Sequence, residues 1–261
     1  MKIMGILNTT PDSFSDGGSY IDKEKALSRI KQMIADGADV IDIGGESTRP
    51  GGAPVALEEE LLRTVDIIKE ISGEITIPIS IDTYKSEVAL QAVAAGATII
   101  NDVGGAKFDP QMPDVMAKAG VTVILMHNRQ NGDETYGDII VDIKKELQES
   151  LDLVLKAGVK KENIVLDPGF GFAKNAEQNV ELAGRIDELK DLGYPLLVGI
   201  SKKRVIGHLL GGVEVDQRGI GTVATSCYFA LKGIDYIRVH DVLENRQAVD
   251  VMKQLQNDDA K

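Results

Sequence analysis

Short apolar runs alternate with longer amphipathic segments along almost the whole chain. The amphipathic segments repeat apolar residues every three or four positions, as in LEEELLRTVDIIKEI from Leu57 to Ile71, which predicts helices. The apolar runs have no polar face, which is typical of parallel strands covered by helices. The predicted strands are Lys2–Leu7, Val40–Ile43, Ile75–Ile81, Thr98–Ile100, Val121–Met126, Ile164–Leu166, Leu196–Ile200 and Tyr236–Val239.

A glycine stands between a helical segment and the next apolar run at seven places. Glycine ends a helix there because it takes the left-handed conformation without steric cost. The seven are Gly37, Gly73, Gly96, Gly120, Gly158, Gly193 and Gly233. Eight strand-then-helix units in 261 residues predict one domain over residues 1–261, a (β/α)8 TIM barrel, with a doubly wound open sheet as the alternative. Residues 256–261 are expected to form a frayed tail.

Composition and charge narrow the class of protein. With 29 basic and 41 acidic residues the net charge is −12, which argues against general binding to nucleic acid or to a membrane surface. The single cysteine, Cys227, excludes an intrachain disulfide and a multi-cysteine zinc cluster, and its neighbours predict a packed helix. No apolar run approaches the roughly 18 residues of a membrane span, so a cytoplasmic protein is expected.

Polar side chains follow the ends of all the predicted strands. Ligand sites of parallel α/β folds lie at these C-terminal ends, so the set predicts a binding site. Each residue alone is also typical of a turn or a helix cap. The set is Asn8, Gly44–Arg49, Asp82, Asn101 with Asp102, His127, Asp167, Ser201–Arg204, and Arg238 with His240.

Two groups of these residues suggest different ligand chemistry. Asp82 and Asp167 directly follow apolar strands, where a carboxylate needs a partner. The hydrogen-bond donors along one edge of a planar ring, such as a pterin or guanine, would pair with them. A structural ion pair with Lys203 is the alternative. The cationic Ser201–Arg204 segment, beside Arg238 and His240, predicts an anion site after the late strands. His127 and His208 are expected to have structural or solvent-facing roles.

Two loops are long and rich in small residues. Asn8–Tyr20 reads NTTPDSFSDGGSY and Gly44–Pro54 reads GGESTRPGGAP. Both exceed the usual two to six residues of a strand–helix connection, which favours lids over a bound substrate, although plain connections remain the alternative.

Motifs at nearly every strand end, from Met4 to Val242, resemble those of the dihydropteroate synthases, the folate-pathway enzymes that sulfonamides inhibit. The motifs are GILNTTPDSFSDGG, DIGGESTRPGG, ISIDTYKSEVA, IINDVGG, VILMHNR, LDPGFGFAKN, LVGISKKRVIG and IRVHDV. The resemblance implies a (β/α)8 barrel that joins 6-hydroxymethyl-7,8-dihydropterin pyrophosphate to p-aminobenzoate. It also implies an SN1-like reaction, in which the bond to the leaving pyrophosphate breaks before the aniline nitrogen attacks.

The resemblance also implies roles for particular residues, with Mg²⁺ as cofactor and a homodimer formed through helices of the later half. The expected pterin-binding residues are Asp82, Asn101, Asp167 and Lys203, with Val103, Met126 and Phe172 as apolar walls. Asn8 is expected to bind Mg²⁺ with the pyrophosphate. Arg238, His240, Thr48 and Arg49 are expected to hold the pyrophosphate, and Phe14, Pro50 and Arg204 the p-aminobenzoate. The expected catalytic residues are Asn8, Lys203, Arg238 and His240.

The sequence differs from the family pattern at two places, and two other functions remain as alternatives. Arg204 stands where many relatives have a hydroxyl residue, and the loop NRQNGDE after His127 is variable and is expected not to touch the chemistry. A pterin-binding methyltransferase barrel would share the carboxylate-lined pocket without needing NTTPDSFSDGG or the late anion site. A catalytically silent pterin- or phosphate-binding module would keep the fold alone.

Overall fold

A computed structural model of the chain describes residues 1–9, 20–46 and 54–258. Its centre is one sheet of eight parallel strands, with neighbours in the order β6-β5-β4-β3-β2-β1-β8-β7. The strands are β1 (Lys2–Asn8), β2 (Val40–Gly44), β3 (Ile79–Asp82), β4 (Ile99–Asp102), β5 (Thr122–Met126), β6 (Ile164–Asp167), β7 (Leu197–Val198) and β8 (Tyr236–Val239).

The two ends of this order, β6 and β7, meet and close the sheet into a barrel. Leu166 forms a parallel bridge with Leu196, next to the short strand β7, and its N–H donates to the Pro195 carbonyl at 2.9 Å. An open sheet would leave these two strands as separated edges. The barrel prediction is therefore confirmed and the open-sheet alternative is wrong.

Helices cover the outside of the barrel between successive strands. They are α1 (Tyr20–Ala35), α2 (Leu57–Ile71), α3 (Ser86–Ala95), α4 (Met112–Ala119), α5 (Ile139–Ala157), α6 (Ala176–Gly184), α7 (Arg204–Leu209), α8 (Gly219–Leu231) and α9 (Val242–Asp258). Helix α9 continues through Asp258, within the predicted tail of residues 256–261, and residues 259–261 lie outside the described part. None of the helices within the described ranges has the length and apolarity needed to cross a bilayer.

Side chains alternate between the two faces of each strand, so each strand serves two layers. One set packs outward against the helices, including the fully buried Ile41, Ile81 and Ile237. The other set points into the barrel, where an apolar cluster fills its lower half: Met4, Val40, Ile99, Ile124, Val165 and Leu197, with Tyr236 against them. This packing leaves the C-terminal half of the barrel interior for polar residues.

Two details differ from the sequence pattern. Six of the seven predicted glycines have a left-handed φ, between +64° and +120°, whereas Gly73 does not and α2 ends at a right-handed Ser72. Strand β3 begins at Ile79 and not at Ile75, because Pro78 has no N–H to donate to a neighbouring strand. Ile75 and Ile77 instead pack, partly buried, against the helix-facing core.

Candidate active site

The predicted polar residues meet at one end of the barrel because they occupy the last inward-facing positions of the strands. Five strands extend beyond their predicted ends: β1, β3, β4 and β6 so include the polar residue, and β2 adds Gly44. Asp82 lies beside Asn101 in the β3–β4 register, and Met126 lies beside Asp167 in the β5–β6 register. The parallel register thus places an amide and two carboxylates around one cleft.

Arg238 on β8 ties the first half of this cleft together. Its Nε donates to Oδ2 of Asp42 and its Nη2 to Oδ2 of Asp82, each at 2.6 Å. Asn101 donates from Nδ2 to the same Asp42 carboxylate at 3.2 Å. In this structure the guanidinium therefore engages Asp42 and one carboxylate of the expected pterin pocket, Asp82, and its expected contact with pyrophosphate stays a prediction.

Burial dominates the electrostatics of this group. It raises the pKa of Asp82 to about 7, although Arg238 opposes the shift. Burial by itself would lower the pKa of Arg238, but the carboxylates of Asp42 and Asp82 outweigh it and raise that pKa above its ordinary value. The Arg238 cation therefore stays charged beside the two carboxylates.

Asp167 and Lys203 form the other half of the cleft. Asp167 accepts the Gly169 N–H on Oδ1 at 2.7 Å, and burial raises its pKa. Lys203 donates to the Phe170 carbonyl at 2.6 Å, and its amino group lies 4.3 Å from the centre of the Phe172 ring. No carboxylate oxygen lies within 4.0 Å of this amino group in the described ranges, so the alternative of an Asp82–Lys203 or Asp167–Lys203 ion pair is wrong. Burial lowers the Lys203 pKa to about 8.

The three cationic side chains of the predicted segment after β7 lie in three different environments. Lys202, at a left-handed φ of 55°, forms an ion pair with Asp241 at 2.8 Å, and Lys203 points to the cleft. Arg204 is the exposed first residue of α7, and its guanidinium has no hydrogen bond or ion pair to the described residues. Only one of the three cations therefore contributes to the pocket itself.

His240 lies beside this segment at the end of β8. Ser201 Oγ is 2.9 Å from His240 Nδ1 and accepts the His240 N–H at 3.2 Å, so the two residues orient each other. Asn8, at the end of β1, is partly exposed. Both stand at the rim, where an anion would enter.

The remaining predicted residues are of two kinds. Val103 and Met126 are buried and Phe172 is partly buried, as apolar walls require. Phe14, Thr48, Arg49 and Pro50 lie outside the described residues, as do most of the two predicted loops.

Sequence reasoning missed two residues of this region. Asp42 is fully buried inside the barrel, and its signal was a lone carboxylate within the apolar run VIDIG. Lys174 is 5% exposed, below the segment that carries Phe170 and Phe172. It stood within the motif LDPGFGFAKN, but no role was assigned to it.

Residues 4–240 match the family described as pterin binding enzymes. The chain belongs to this family. A dihydropteroate synthase from Clostridium beijerinckii is 52% identical over 247 residues, covering 94% of this chain and 91% of the relative. One from Bacillus subtilis is 48% identical, covering 98% and 88%.

Solved structures of dihydropteroate synthases also match nearly the whole chain. The dihydropteroate synthase from Clostridium difficile, determined in the presence of pteroic acid, has a TM-score of 0.94 and 48% identity, covering 98% of this chain and 96% of that chain. The Xanthomonas albilineans enzyme in complex with 7,8-dihydropteroate has a TM-score of 0.89 and 39% identity, covering 98% and 93%. The likeness therefore extends over the whole barrel.

Proposed function

We propose that this pterin binding enzyme catalyses the dihydropteroate synthase reaction of folate biosynthesis, an alkyl transfer. The substrates are 6-hydroxymethyl-7,8-dihydropterin pyrophosphate and p-aminobenzoate, and the products are 7,8-dihydropteroate and pyrophosphate. The observation that carries the proposal is the cleft itself. It brings Asp82, Asn101 and Asp167 together with Lys203, between apolar walls, as a flat heterocycle with a donor edge requires.

The polar groups of the cleft match the two kinds of edge on a pterin. Carboxylates of Asp82 and Asp167 accept hydrogen bonds from ring N–H and amino groups, and charge-assisted bonds of this kind are strong. The Lys203 ammonium and the Asn101 amide donate to ring acceptors. Val103, Met126 and Phe172 exclude water from the ring faces, which strengthens each of these bonds.

In the reaction, the bond between the pterin methylene carbon and the pyrophosphate oxygen breaks, and its electron pair leaves with the pyrophosphate. The neutral aniline nitrogen then bonds to the methylene carbon and loses a proton. Lys203, Arg238 and His240 are the cations or donors nearest the leaving group in this proposal, and the protein acts by positioning and charge stabilisation.

The test is to mix the purified protein with both substrates and measure pyrophosphate release. Release that requires both substrates is the expected result. Pterin binding without any release would favour the silent binding module, and methyl transfer to a corrinoid would favour the methyltransferase alternative.

We also propose that Mg²⁺ binds with the pyrophosphate at Asn8. The described residues contain no cluster of three His, Cys, Asp or Glu side chains able to hold a metal. This fits Mg²⁺, which commonly takes one or two protein oxygens and completes its shell with phosphate oxygens and water. Bound there, the ion would neutralise part of the leaving-group charge.

The prediction is that Mg²⁺ strengthens pyrophosphate binding and that Asn8→Ala reduces the gain. In a protein of net charge −12 the late-strand cations alone neutralise little of an added polyanion. Calorimetric titration of pyrophosphate with Mg²⁺ and with chelator measures both effects. Equal affinity in the two solutions would remove the metal from the proposal.

A homodimer through α8 is the proposed assembly. The outer face of this helix is apolar over its whole length: Ile220 is 87% exposed and Leu231 58% exposed, with the partly exposed Val223 and Cys227 between them. Contiguous apolar surface of this kind marks interaction sites on soluble proteins. Because the stripe lies on one helix, a twofold axis would pack it against its own copy.

The prediction is that Ile220→Lys converts the dimer into monomers. The exposed position tolerates the substitution in the isolated barrel, whereas a charge buried at an apolar interface is costly. Sedimentation velocity of the wild type and variant measures the change. Leu62→Lys on α2, also exposed at 70%, is the matched control and should leave the mass unchanged.

We place the reaction in the cytoplasm. The support is the single cysteine, which is typical of chains that fold in a reducing compartment without disulfides.

A further inference from the structure

A fully bonded ammonium group lies beneath the cleft. The Nζ of Lys174 is 2.9 Å from Nδ1 of His127 and donates to the carbonyls of Gly169 and Phe172, each at 3.0 Å. An ammonium has three N–H donors, and here each has one acceptor. Burial lowers the Lys174 pKa to about 7 although the negative charge of Asp167 opposes the shift, so a large desolvation cost accompanies the placement of this amino group.

The histidine acceptor is held in the form that this bond needs. Burial lowers the pKa of His127 to about 4, so its ring is neutral. Its Nε2 faces a carboxylate oxygen of Glu146 at 3.1 Å, and Glu146 is in turn bound by Arg129 at 2.6 Å. The proton therefore belongs on Nε2, and Nδ1 is left as the acceptor for Lys174.

The backbone that Lys174 holds, residues 169–173, has an unfavourable local conformation. Gly169, Gly171 and Ala173 have φ values of +71°, +78° and +45°. Alanine rarely takes a left-handed φ, so contacts from outside the segment must maintain it. Lys174 supplies two of these contacts, and Asn179 supplies another by accepting the Gly171 N–H at 2.7 Å.

The opposite side of the same segment positions Lys203. The Phe170 carbonyl accepts a hydrogen bond from the Lys203 amino group, and the Phe172 ring lies against that group. A Cβ on Gly171 would come within 3.1 Å of the Lys203 side chain, so the lysine stem lies directly on this backbone. One short segment therefore contacts two lysines, one on each side.

We propose that Lys174 is a positioning residue that fixes the ammonium of Lys203 for pterin binding by holding residues 169–173. The inference rests on the proposed function, because it takes Lys203 as a pterin ligand. The proposal also gives the variable loop after His127 an indirect role in the cleft. Arg129 belongs to that loop and anchors Glu146, so the loop connects to the cleft through Glu146, His127 and Lys174.

A double-mutant cycle separates this role from simple loss of stability. The dissociation constant of 6-hydroxymethylpterin is measured by calorimetry for the wild type, Lys174→Met, Lys203→Met and the double variant. If Lys174 acts through Lys203, Lys174→Met weakens binding by about tenfold in the wild type and by less than about twofold in Lys203→Met. An equal loss in both backgrounds, or no loss in the wild type, would overturn the proposal.

Arg246→Met is the matched control. Arg246 donates to the Gly37 carbonyl at 3.1 Å and pairs with Asp39 at the opposite end of the barrel, so another long cationic side chain is replaced by methionine, this time away from the cleft. We expect it to lower the melting temperature and leave pterin affinity unchanged. An equal loss of affinity in this variant would attribute the effect to stability and overturn the proposal.

Two further measurements keep the test decisive. If Lys174→Met does not fold, Asn179→Ala replaces it in the cycle, because Asn179 holds Gly171 from another direction and the same dependence on Lys203 is expected. Pyrophosphate release by the wild type is measured separately. Its absence would refute the proposed reaction, while the binding cycle would still decide whether Lys174 positions Lys203.

Discussion

The two oxygens of the Asp167 carboxylate have different surroundings. Oδ1 accepts the Gly169 N–H at 2.7 Å, and no hydrogen bond to Oδ2 occurs within the described residues. The second oxygen is therefore the one that can accept from a ligand. Its negative charge is balanced from a distance by Lys203 and Arg238, which lower a pKa that burial raises.

We expect Asp167→Asn to weaken pterin binding by about 1.5–3 kcal/mol with little effect on folding. The amide oxygen can still accept the Gly169 N–H, which turns the NH₂ group toward the ligand donors that need an acceptor. Calorimetric titration with 6-hydroxymethylpterin measures the loss, and thermal unfolding provides the control. Wild-type affinity in a folded variant would remove Asp167 from the site.

At the scale of the elements, the residue after a helix determines how the chain enters the next strand. Gly120 follows α4 with a left-handed φ of +65°, and its N–H donates to the Met116 carbonyl at 3.2 Å. Gly73 follows α2 without a left-handed φ, and a Cβ placed on it would meet no atom within 4 Å. The two glycines look alike in the sequence, but only the first needs to be glycine.

Alanine substitutions at these positions should therefore have opposite effects. Gly73→Ala restricts the unfolded chain without straining the folded one, so we expect a gain of about 0.4–1 kcal/mol in unfolding free energy. Gly120→Ala places a Cβ in the left-handed region, so we expect a loss of about 1–2 kcal/mol. Urea unfolding of the two variants measures the difference, and a loss at Gly73 would show that its backbone is constrained after all.

For the whole molecule, the sequence could predict the barrel and the end at which the site lies because both depend on repetition. Alternation of strand and helix repeats eight times, and each polar strand end occupies the same inward position. The pattern could not predict pairings between distant strands. Arg238 on β8 meets Asp42 on β2, 196 positions away in the chain, and this contact depends on both strands flanking β1 and on side-chain conformation.

Segments without regular structure were equally hard to predict. The backbone of residues 169–173 depends on a lysine below it and an asparagine beside it, neither of which has a periodic signal. The predicted start of β3 was wrong for a simpler reason. The residues before Pro78 are apolar, as in a strand, but Pro78 has no N–H to donate to a neighbouring strand.

Buried titratable groups give the stability of the whole molecule opposing pH dependences. Burial raises the pKa of Asp82 to about 7 and of Asp102 to about 6, so the stability that each contributes is present at low pH and is lost as the pH rises through those values. Burial lowers the pKa of His127 to about 4, so its contribution has the opposite sign. Between the ordinary value of 6.5 and this value, the unfolded chain takes up a proton that the folded chain does not.

We therefore expect the cost of His127→Gln to be greatest near neutral pH and to shrink as the pH falls. Glutamine does not titrate and cannot serve both Lys174 and Glu146, so the variant should lose about 1–3 kcal/mol near pH 7. The wild type alone loses stability at His127 on acidification, up to about 3 kcal/mol by pH 4, because one pKa unit corresponds to about 1.4 kcal/mol. Asp82 and Asp102 are common to both proteins, so their contributions cancel in the difference.

Urea unfolding of both proteins from about pH 7 to about pH 4.5 measures the gap between their unfolding free energies. A gap that stays constant over this range would show that the folded protein protonates His127 as readily as the unfolded chain does, and that the ring is not held neutral between Lys174 and Glu146.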